Sequence, residues 1–293
     1  MILFRLATSL LVIMPALGSQ DDISYKEYNF TTKVDHFTFR DNRTYRMRYA
    51  IADQYWEKKG GPVFFYTGNE NPYESFINET GVIWEWAPDF KALIVFAEHR
   101  FYGKSLPFGD ESYQSPENLG YLTSEQALAD YANLVVYLKT TLAGAAKSQF
   151  VAFGGSYGGM LATWFRIKYP HLIAAALASS APLRMFPGLT PCGAFSVAVT
   201  ESYARESKAC SSAIRKSWDV LQRIASTDDG ARKLQEKFRI CQTIGSSNYT
   251  RLRNWIRETY EVIALVNYGD ADTLLKALPG HPVKVCDTSV NTW

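Results

Sequence analysis

Ser156 lies in Phe153-Gly154-Gly155-Ser156-Tyr157-Gly158-Gly159, a Gly-x-Ser-x-Gly arrangement. A serine hydroxyl attacks an acyl carbon well only when a base takes its proton and donors wait for the developing oxyanion. Glycines at 154 and 158 answer a steric need, because side chains there would collide across a sharp strand-to-helix turn that lifts the serine hydroxyl above a sheet. Tyr157 then stands at the helix start, where its backbone N–H can point at the oxyanion. A second donor in such sites comes from the loop after an earlier strand, and Gly68, Asn69 and Glu70 follow residues 62–67 in that place. Glycine there would let backbone approach a substrate.

The base is harder to find. Glu98-His99-Arg100 puts a histidine beside a carboxylate, but in this chemistry on this fold the chain order runs nucleophile, acid, histidine. The tripeptide precedes Ser156 and reads instead as a structural ion cluster. Downstream, His171 lies just beyond the helix after the elbow, and His281 could pair only with Asp270 or Asp272. No strand-borne Asp and His pair follows Ser156 in 182–293. Without a base the serine is an ordinary hydroxyl, a loss on the order of 10⁶ in turnover. The chain is therefore expected to be nearly inert, as a truncated form or a non-catalytic relative.

The elements that would position Ser156 alternate short apolar runs with helical periodicity, which argues for a parallel α/β sheet flanked by helices. Strands are predicted at Arg48–Ala52, Pro62–Thr67, Leu93–Ala97, Phe150–Phe153 and Leu172–Ala178, each short and continuous as in strands buried on both faces. Thr123-Ser124-Glu125-Gln126 reads as a capping box opening a crossover helix that carries Leu128, Tyr131, Val135 and Leu138. A second helix is predicted over Tyr157–Tyr169, with Met160, Leu161, Trp164 and Phe165 on one side and Pro170 as its stop. After Pro182 strand-like runs vanish, and helices are predicted at Ser196–Tyr203, Ser212–Ile224, Ala231–Ile240 and Arg251–Val266. These assignments divide the chain into residues 1–19, 20–181 as an α/β core, and 182–293 as a helical cap holding every cysteine.

Residues 1–19 carry Arg5, the apolar run Leu10-Leu11-Val12-Ile13-Met14 and small residues at Ala16-Leu17-Gly18, the pattern of a signal peptide cleaved near Gly18 or Ser19. The run falls short of the roughly 20 residues a membrane anchor needs. Secretion gives meaning to the N-x-Ser/Thr triplets at Asn29, Asn42, Asn78 and Asn248 as glycan acceptors, with Asn29 near a possible edge strand and the others read as loops. It also favours disulfides among Cys192, Cys210, Cys241 and Cys286 over zinc, since no close C-x-x-C pair exists. Four cysteines allow three pairings, which spacing does not rank. The composition, 47% hydrophobic and 14% aromatic, fits a folded chain. A net charge of +2, from 31 basic against 29 acidic residues, gives no footprint for nucleic acid. Acyl transfer by serine needs no metal or organic cofactor.

Beyond the elbow, Val34-Asp35-His36-Phe37, Phe65-Tyr66-Thr67-Gly68-Asn69-Glu70, Phe96 to Gly103, Ser105-Leu106-Pro107-Phe108-Gly109 and Glu125 to Asp130 resemble signatures of the prolyl serine carboxypeptidase family. Together they run through nearly the whole mature chain. Thr190-Pro191-Cys192-Gly193-Ala194-Phe195, Ile214 to Ser217-Trp218 and Asn254-Trp255-Ile256 are similar to the cap of its Pro-X carboxypeptidase branch, with a dipeptidyl peptidase II-like aminopeptidase as the alternative. The resemblance implies an α/β-hydrolase fold with Ser156 as nucleophile, Tyr157 as oxyanion N–H and Met160 lining a pocket for the substrate proline, although Met160 could equally serve helix packing. It implies a Cys210–Cys286 disulfide, which leaves Cys192 and Cys241 without downstream partners. Family members are considerably longer, with the acid and histidine in their C-terminal part, so the sheet is expected to be incomplete at its C-terminal end. Asn71 replaces the glycine that commonly follows Gly-Asn-Glu. The implied substrates are peptides with a penultimate proline, and the implied destination is the lysosome or the extracellular space. A homodimer stays open. A non-catalytic secreted binder and an esterase are the rival classes, because the elbow is shared among them.

Overall fold

The computed structural model describes residues 24–241, 243–245, 248–265, 267 and 281–290. The signal-peptide reading of 1–19, and Asp270 and Asp272, fall outside those residues. The chain forms two compact units, Met1–Leu183 and Arg184–Trp293.

The first unit is built on a six-stranded sheet of strands β1 (Lys26–Lys33), β2 (Thr44–Ala52), β3 (Val63–Thr67), β4 (Leu93–Ala97), β5 (Phe150–Gly155) and β6 (Ile173–Ser179). The spatial order is β1-β2-β4-β3-β5-β6. The sheet is mixed, which corrects the expectation of a parallel one. β3, β4, β5 and β6 pair in parallel, whereas β2 runs antiparallel to both β1 and β4. The cause is the connections: parallel neighbours require a crossover, usually a helix, and no helix separates β1, β2 and β3 in the chain. β2 begins at Thr44, ahead of the predicted Arg48, because its first residues pair with β1.

Side chains on the central strands alternate between two apolar layers. Val63, Phe65, Leu93, Val95 and Ala97 join one layer; Phe64, Tyr66, Ile94 and Phe96 join the other. That period of two follows from the pleat. Two short helices, α1 (Tyr73–Glu79) and α2 (Val82–Phe90), cover the second layer with Tyr73, Phe76, Ile77, Ile83 and Ala87. Between β4 and β5 run the single turn α3 (Pro116–Leu119) and the long α4 (Ser124–Thr141), and α5 (Tyr157–Lys168) follows β5. α4 contributes Leu128, Tyr131, Leu134, Val135 and Leu138 to the first layer, and α5 contributes Leu161, Ala162 and Phe165. Helices on both faces of the sheet explain why the central strands are uniformly apolar. β6, at the edge, departs from that pattern: Ile173 is buried while Ala174, Ala175 and Ala176 are exposed.

Thr123 caps α4 by accepting from the Gln126 N–H at 3.2 Å. The reciprocal half of the expected capping box is absent, because the Gln126 amide turns to the Asp35 carboxylate and the His36 N–H instead, at 2.7 and 3.0 Å.

The second unit contains α6 (Ala194–Glu206), α7 (Lys208–Ala225), α8 (Asp228–Lys237), α9 (Tyr249–Leu265) and α10 (Pro282–Val290). Ala225, Ala231, Leu234, Tyr249, Leu252 and Ile256 form one apolar cluster and Tyr203, Cys210, Ile263 and Cys286 another. Cys210 and Cys286 form a disulfide between α7 and α10. Cys192 and Cys241 are free and exposed. Of the sequon residues, Asn29 is exposed on β1 and Asn42 is exposed ahead of β2. Asn78 is exposed in the last turn of α1 rather than in a loop. Asn248 is half-buried, with its amide bonded to the Gly245 N–H and the Thr243 carbonyl.

Candidate active site

β5 ends at Gly155 and α5 begins at Tyr157, so the whole turn is made by Ser156, at φ 54° and ψ −126°. A non-glycine residue at positive φ is strained and persists only where its surroundings fix it. Here the fixing contacts are visible. The Ser156 N–H donates to the Ser179 carbonyl of β6 at 3.0 Å, and its carbonyl accepts from the Met160 N–H at 3.0 Å. The Thr67 hydroxyl, at the end of β3, bridges the Phe153 carbonyl at 3.0 Å and the Gly158 carbonyl at 2.8 Å, one on each arm of the turn. A Cβ on Gly154 would strike the Gly158 carbonyl, in line with the collision inferred from spacing; a Cβ on Gly158 would meet the Thr67 carbonyl at 2.7 Å. The second glycine is thus demanded by the neighbouring strand. Ser156 is exposed and is the N-cap of α5, yet its side chain makes no capping bond.

The first N–H groups of a helix lack intrahelical acceptors, which suits Tyr157 as an oxyanion donor. In the loop after β3, Gly68 is held by close contacts within the unit. Its N–H donates to Ala97 at 3.1 Å, its carbonyl accepts from Tyr131 at 2.8 Å, and a Cβ would strike the Ala97 carbonyl. A donor from this loop must come from Asn69 or Glu70. Asn69 is buried, with its Nδ2 3.3 Å from the Gly155 carbonyl and its Oδ1 without a partner. Glu70 is exposed. Met160 is buried in α5 but joins neither apolar layer.

Glu98, His99 and Arg100 diverge. Arg48 binds Glu98 at 2.9 Å and Glu74 at 2.7 Å, and Ser105 donates to Glu98 at 2.6 Å. Arg100 binds Asp130 through Nε at 2.7 Å and Nη2 at 2.9 Å. Asp130 also takes Tyr45 at 2.7 Å and His36 at 2.7 Å. Burial alone would raise the Asp130 carboxyl, but His36 and the Arg100 guanidinium outweigh it and hold it below the ordinary carboxylate range. His99 is fully buried, its Nδ1 2.6 Å from the Arg100 carbonyl and its Nε2 3.1 Å from the Tyr157 hydroxyl. Burial pulls its pKa down to about 4. A neutral ring protonated on Nδ1 satisfies both contacts, with Tyr157 donating to Nε2. Burial pushes the Tyr157 phenol well up, so it remains a donor.

Among the described residues, then, the structure leaves Ser156 exposed at the N-cap of α5, and no side chain bonds to its hydroxyl. His171 is exposed beyond α5, 6.2 Å ring to ring from Tyr169; His281 opens α10 in the other unit. Sequence reading missed Thr67, Tyr131 and Asp130. Thr67 ends a strand beside the loop already singled out, which was the available signal.

The family model described as "Serine carboxypeptidase S28" matches residues 32–292. The human "Lysosomal Pro-X carboxypeptidase" is 46% identical over 272 residues, covering 93% of this chain and 54% of the relative. The Bos taurus protein of the same name is 49% identical, covering 86% and 51% respectively. "Prolyl carboxy peptidase like protein 5" of Caenorhabditis elegans is 41% identical, covering 89% and 52%. The chain spans about half the length of these relatives. A match over nearly all of the described α/β unit, and over the helical unit beyond it, places the chain in the serine carboxypeptidase S28 family.

Proposed function

We propose that Ser156 is the nucleophile of a serine exopeptidase that releases the residue following a penultimate proline. The observation that carries the reading is the strained backbone of Ser156, held by Ser179, Met160 and the Thr67 bridge with its hydroxyl left exposed. Strained positions of this kind cluster where chemistry is done. In the proposed reaction Ser156 attacks the prolyl carbonyl, and the Tyr157 N–H with a donor from Asn69 or Glu70 receives the oxyanion. Asn69 bonds the Gly155 carbonyl and so aligns the loop with the turn. The base that takes the serine proton and passes it to the leaving amine, and the acid that orients that base, are assigned to residues outside those described. Met160 is the residue of α5 proposed to meet the proline ring. Supporting the prolyl specificity are the names of the relatives, which also favour a secretory route to the lysosome. Among the described residues no helix is long and apolar enough to cross a membrane. The proposed domain roles are an α/β-hydrolase core before residue 182 and a cap after it, and Asn29, Asn42, Asn78 and Asn248 are the proposed glycan sites.

The test is covalent labelling by two phosphonate esters, one carrying proline on the acyl side and one a plain alkyl chain, with Ser156→Ala as control. Expected is slow labelling that requires Ser156 and favours the prolyl probe. Labelling unaffected by Ser156→Ala would sink the nucleophile. A preference for the alkyl probe would turn the reading to an esterase, and no labelling by either probe would favour a non-catalytic relative.

A further inference from the structure

Three helices of the second unit line an open cavity of about 350 Å³. α6 supplies Thr200 and Tyr203, α7 supplies Arg215 and Trp218, and α9 supplies Arg253, Arg257 and Tyr260. The residues on each helix recur at spacings of three and four, so each presents one face to the cavity.

The cavity lining is of two chemical kinds. One is aromatic: Tyr203 and Tyr260 meet edge to face at 5.5 Å, Trp218 meets Tyr260 at 6.1 Å, and the Tyr203 hydroxyl is satisfied by the Tyr260 carbonyl at 3.0 Å. The other is cationic. Arg257 has a carboxylate, Glu261, at 3.4 Å. Among the described residues Arg215 and Arg253 have no carboxylate within salt-bridge distance, although both border the same cavity from different helices. The planar fork of arginine fits a carboxylate best among anions.

We infer that this cavity binds an apolar residue bearing a free carboxylate, such as the C-terminal residue of a peptide, with its side chain against Trp218 and Tyr260 and its carboxylate between Arg215 and Arg253. Aromatic walls favour a flat apolar body. A simple inorganic anion would leave the aromatic walls unused. The volume is at the small end of the range of ligand sites, about 300 to 1,000 Å³, which suits a single residue. The site lies within one unit and does not depend on whether Ser156 reacts.

Calorimetric titration of the purified full chain with N-acetyl-L-phenylalanine, N-acetyl-L-phenylalaninamide and acetate tests it. Expected is a Kd of about 1 mM for the acid, with the amide and acetate each weaker by about tenfold or more, the loss of one charge-assisted bond or of the apolar contact. Arg215→Gln and Arg253→Gln should each weaken the acid by about tenfold. Arg251→Gln removes the same charge from the same helix but lies outside this cavity, and it should change nothing. All these side chains are exposed, so folding is retained. Equal binding of acid and amide, an equal loss in Arg251→Gln, or no saturable heat from the wild type would each overturn the assignment.

Discussion

His99 makes an acid-sensitive contribution to stability that can be isolated by one substitution. In the fold its pKa is about 4 against an ordinary 6.5, chiefly because burial penalises the charged ring, with the Arg100 carbonyl acting the other way. The unfolded chain therefore takes up this proton first as pH falls. Above pH 6.5 both states carry a neutral ring and nothing is lost. Between 6.5 and 4 the unfolded state gains a proton that the folded state refuses, and stability drops until the folded ring titrates as well. The full window is worth about 3 kcal/mol, and about 2.5 kcal/mol is lost by pH 4.5, at about 1.36 kcal/mol per pKa unit. Against a typical total of about 5 to 15 kcal/mol this is a large share. The assay is urea unfolding of wild type and His99→Gln between about pH 7 and pH 4.5. Glutamine retains an acceptor for Tyr157 and a donor for Arg100 but does not titrate. The substitution should cost stability at pH 7 through lost packing. By about pH 4.5 the gap should have narrowed by about 2.5 kcal/mol, because only the wild type weakens through this group. Subtraction removes Asp130, Arg100 and the other titrating groups, which both proteins share. A gap that stays constant across the range would refute the claim that His99 is buried neutral.

Asp130→Asn removes the anion facing Arg100 and should cost about 3 to 5 kcal/mol, since the guanidinium is left buried beside a neutral amide; urea midpoints at pH 7 read it, with Arg232→Gln in the exposed network of α8 as a control that leaves the midpoint in place. Because the folded Asp130 pKa is depressed, its contribution is present above the unfolded carboxylate range and lost as pH falls through the folded value. Cys210→Ser opens a loop of 76 residues and should lower stability by about 4 kcal/mol on the chain-entropy account. Limited proteolysis should then cut within Arg184–Trp293 before it cuts the sheet; cleavage of the sheet first would contradict the division into two units.

The parts of the molecule legible in the sequence are those whose cause is local. β3, β4 and β5 are continuous apolar runs closed by glycine or polar residues, α5 follows a motif whose glycines have a steric reason, and Thr123 caps α4 through its own neighbouring turn. What escaped notice depends on distant partners. β1 reads KEYNFTTK, a half-polar stretch that the sequence marks only as a possible edge strand near Asn29 and whose bounds are set by β2 beside it. α1 and α2 are short, and α2 carries Pro88 inside it, so neither shows a full helical period. The direction of β2 was hidden because a strand's own residues do not encode whether its neighbour runs with it or against it. At the site, Thr67 bridges residues 86 and 91 positions away. The packing reason for a glycine at 68 was hidden in the same way: a Cβ there would strike the Ala97 carbonyl on the adjacent strand.

Glu98-His99-Arg100 shows how one short segment can serve several elements without serving the chemistry directly. The strand β4 ends just before it, so its side chains are free of the sheet's strict alternation and leave in different directions. Glu98 ties β2 and α1 through Arg48, and its carboxylate closes against the turn at Gly103, where a Cβ would collide with it. Arg100 ties α4 through Asp130 and the chain at Val34 through its carbonyl, at 2.8 Å. His99, between them, is the member that reaches the elbow. Reading the tripeptide as an ion cluster holds for Glu98 and Arg100 and fails for His99, which is neutral. Both of its ring nitrogens are occupied, so it has no proton to exchange with Ser156. Its position instead bears on geometry: it anchors the Tyr157 hydroxyl, while the adjacent Tyr131, 6.4 Å away ring to ring, anchors the Gly68 carbonyl. The α5 start beside Ser156 and the loop after β3 are thus tied to one buried aromatic group, so packing beneath them sets their separation.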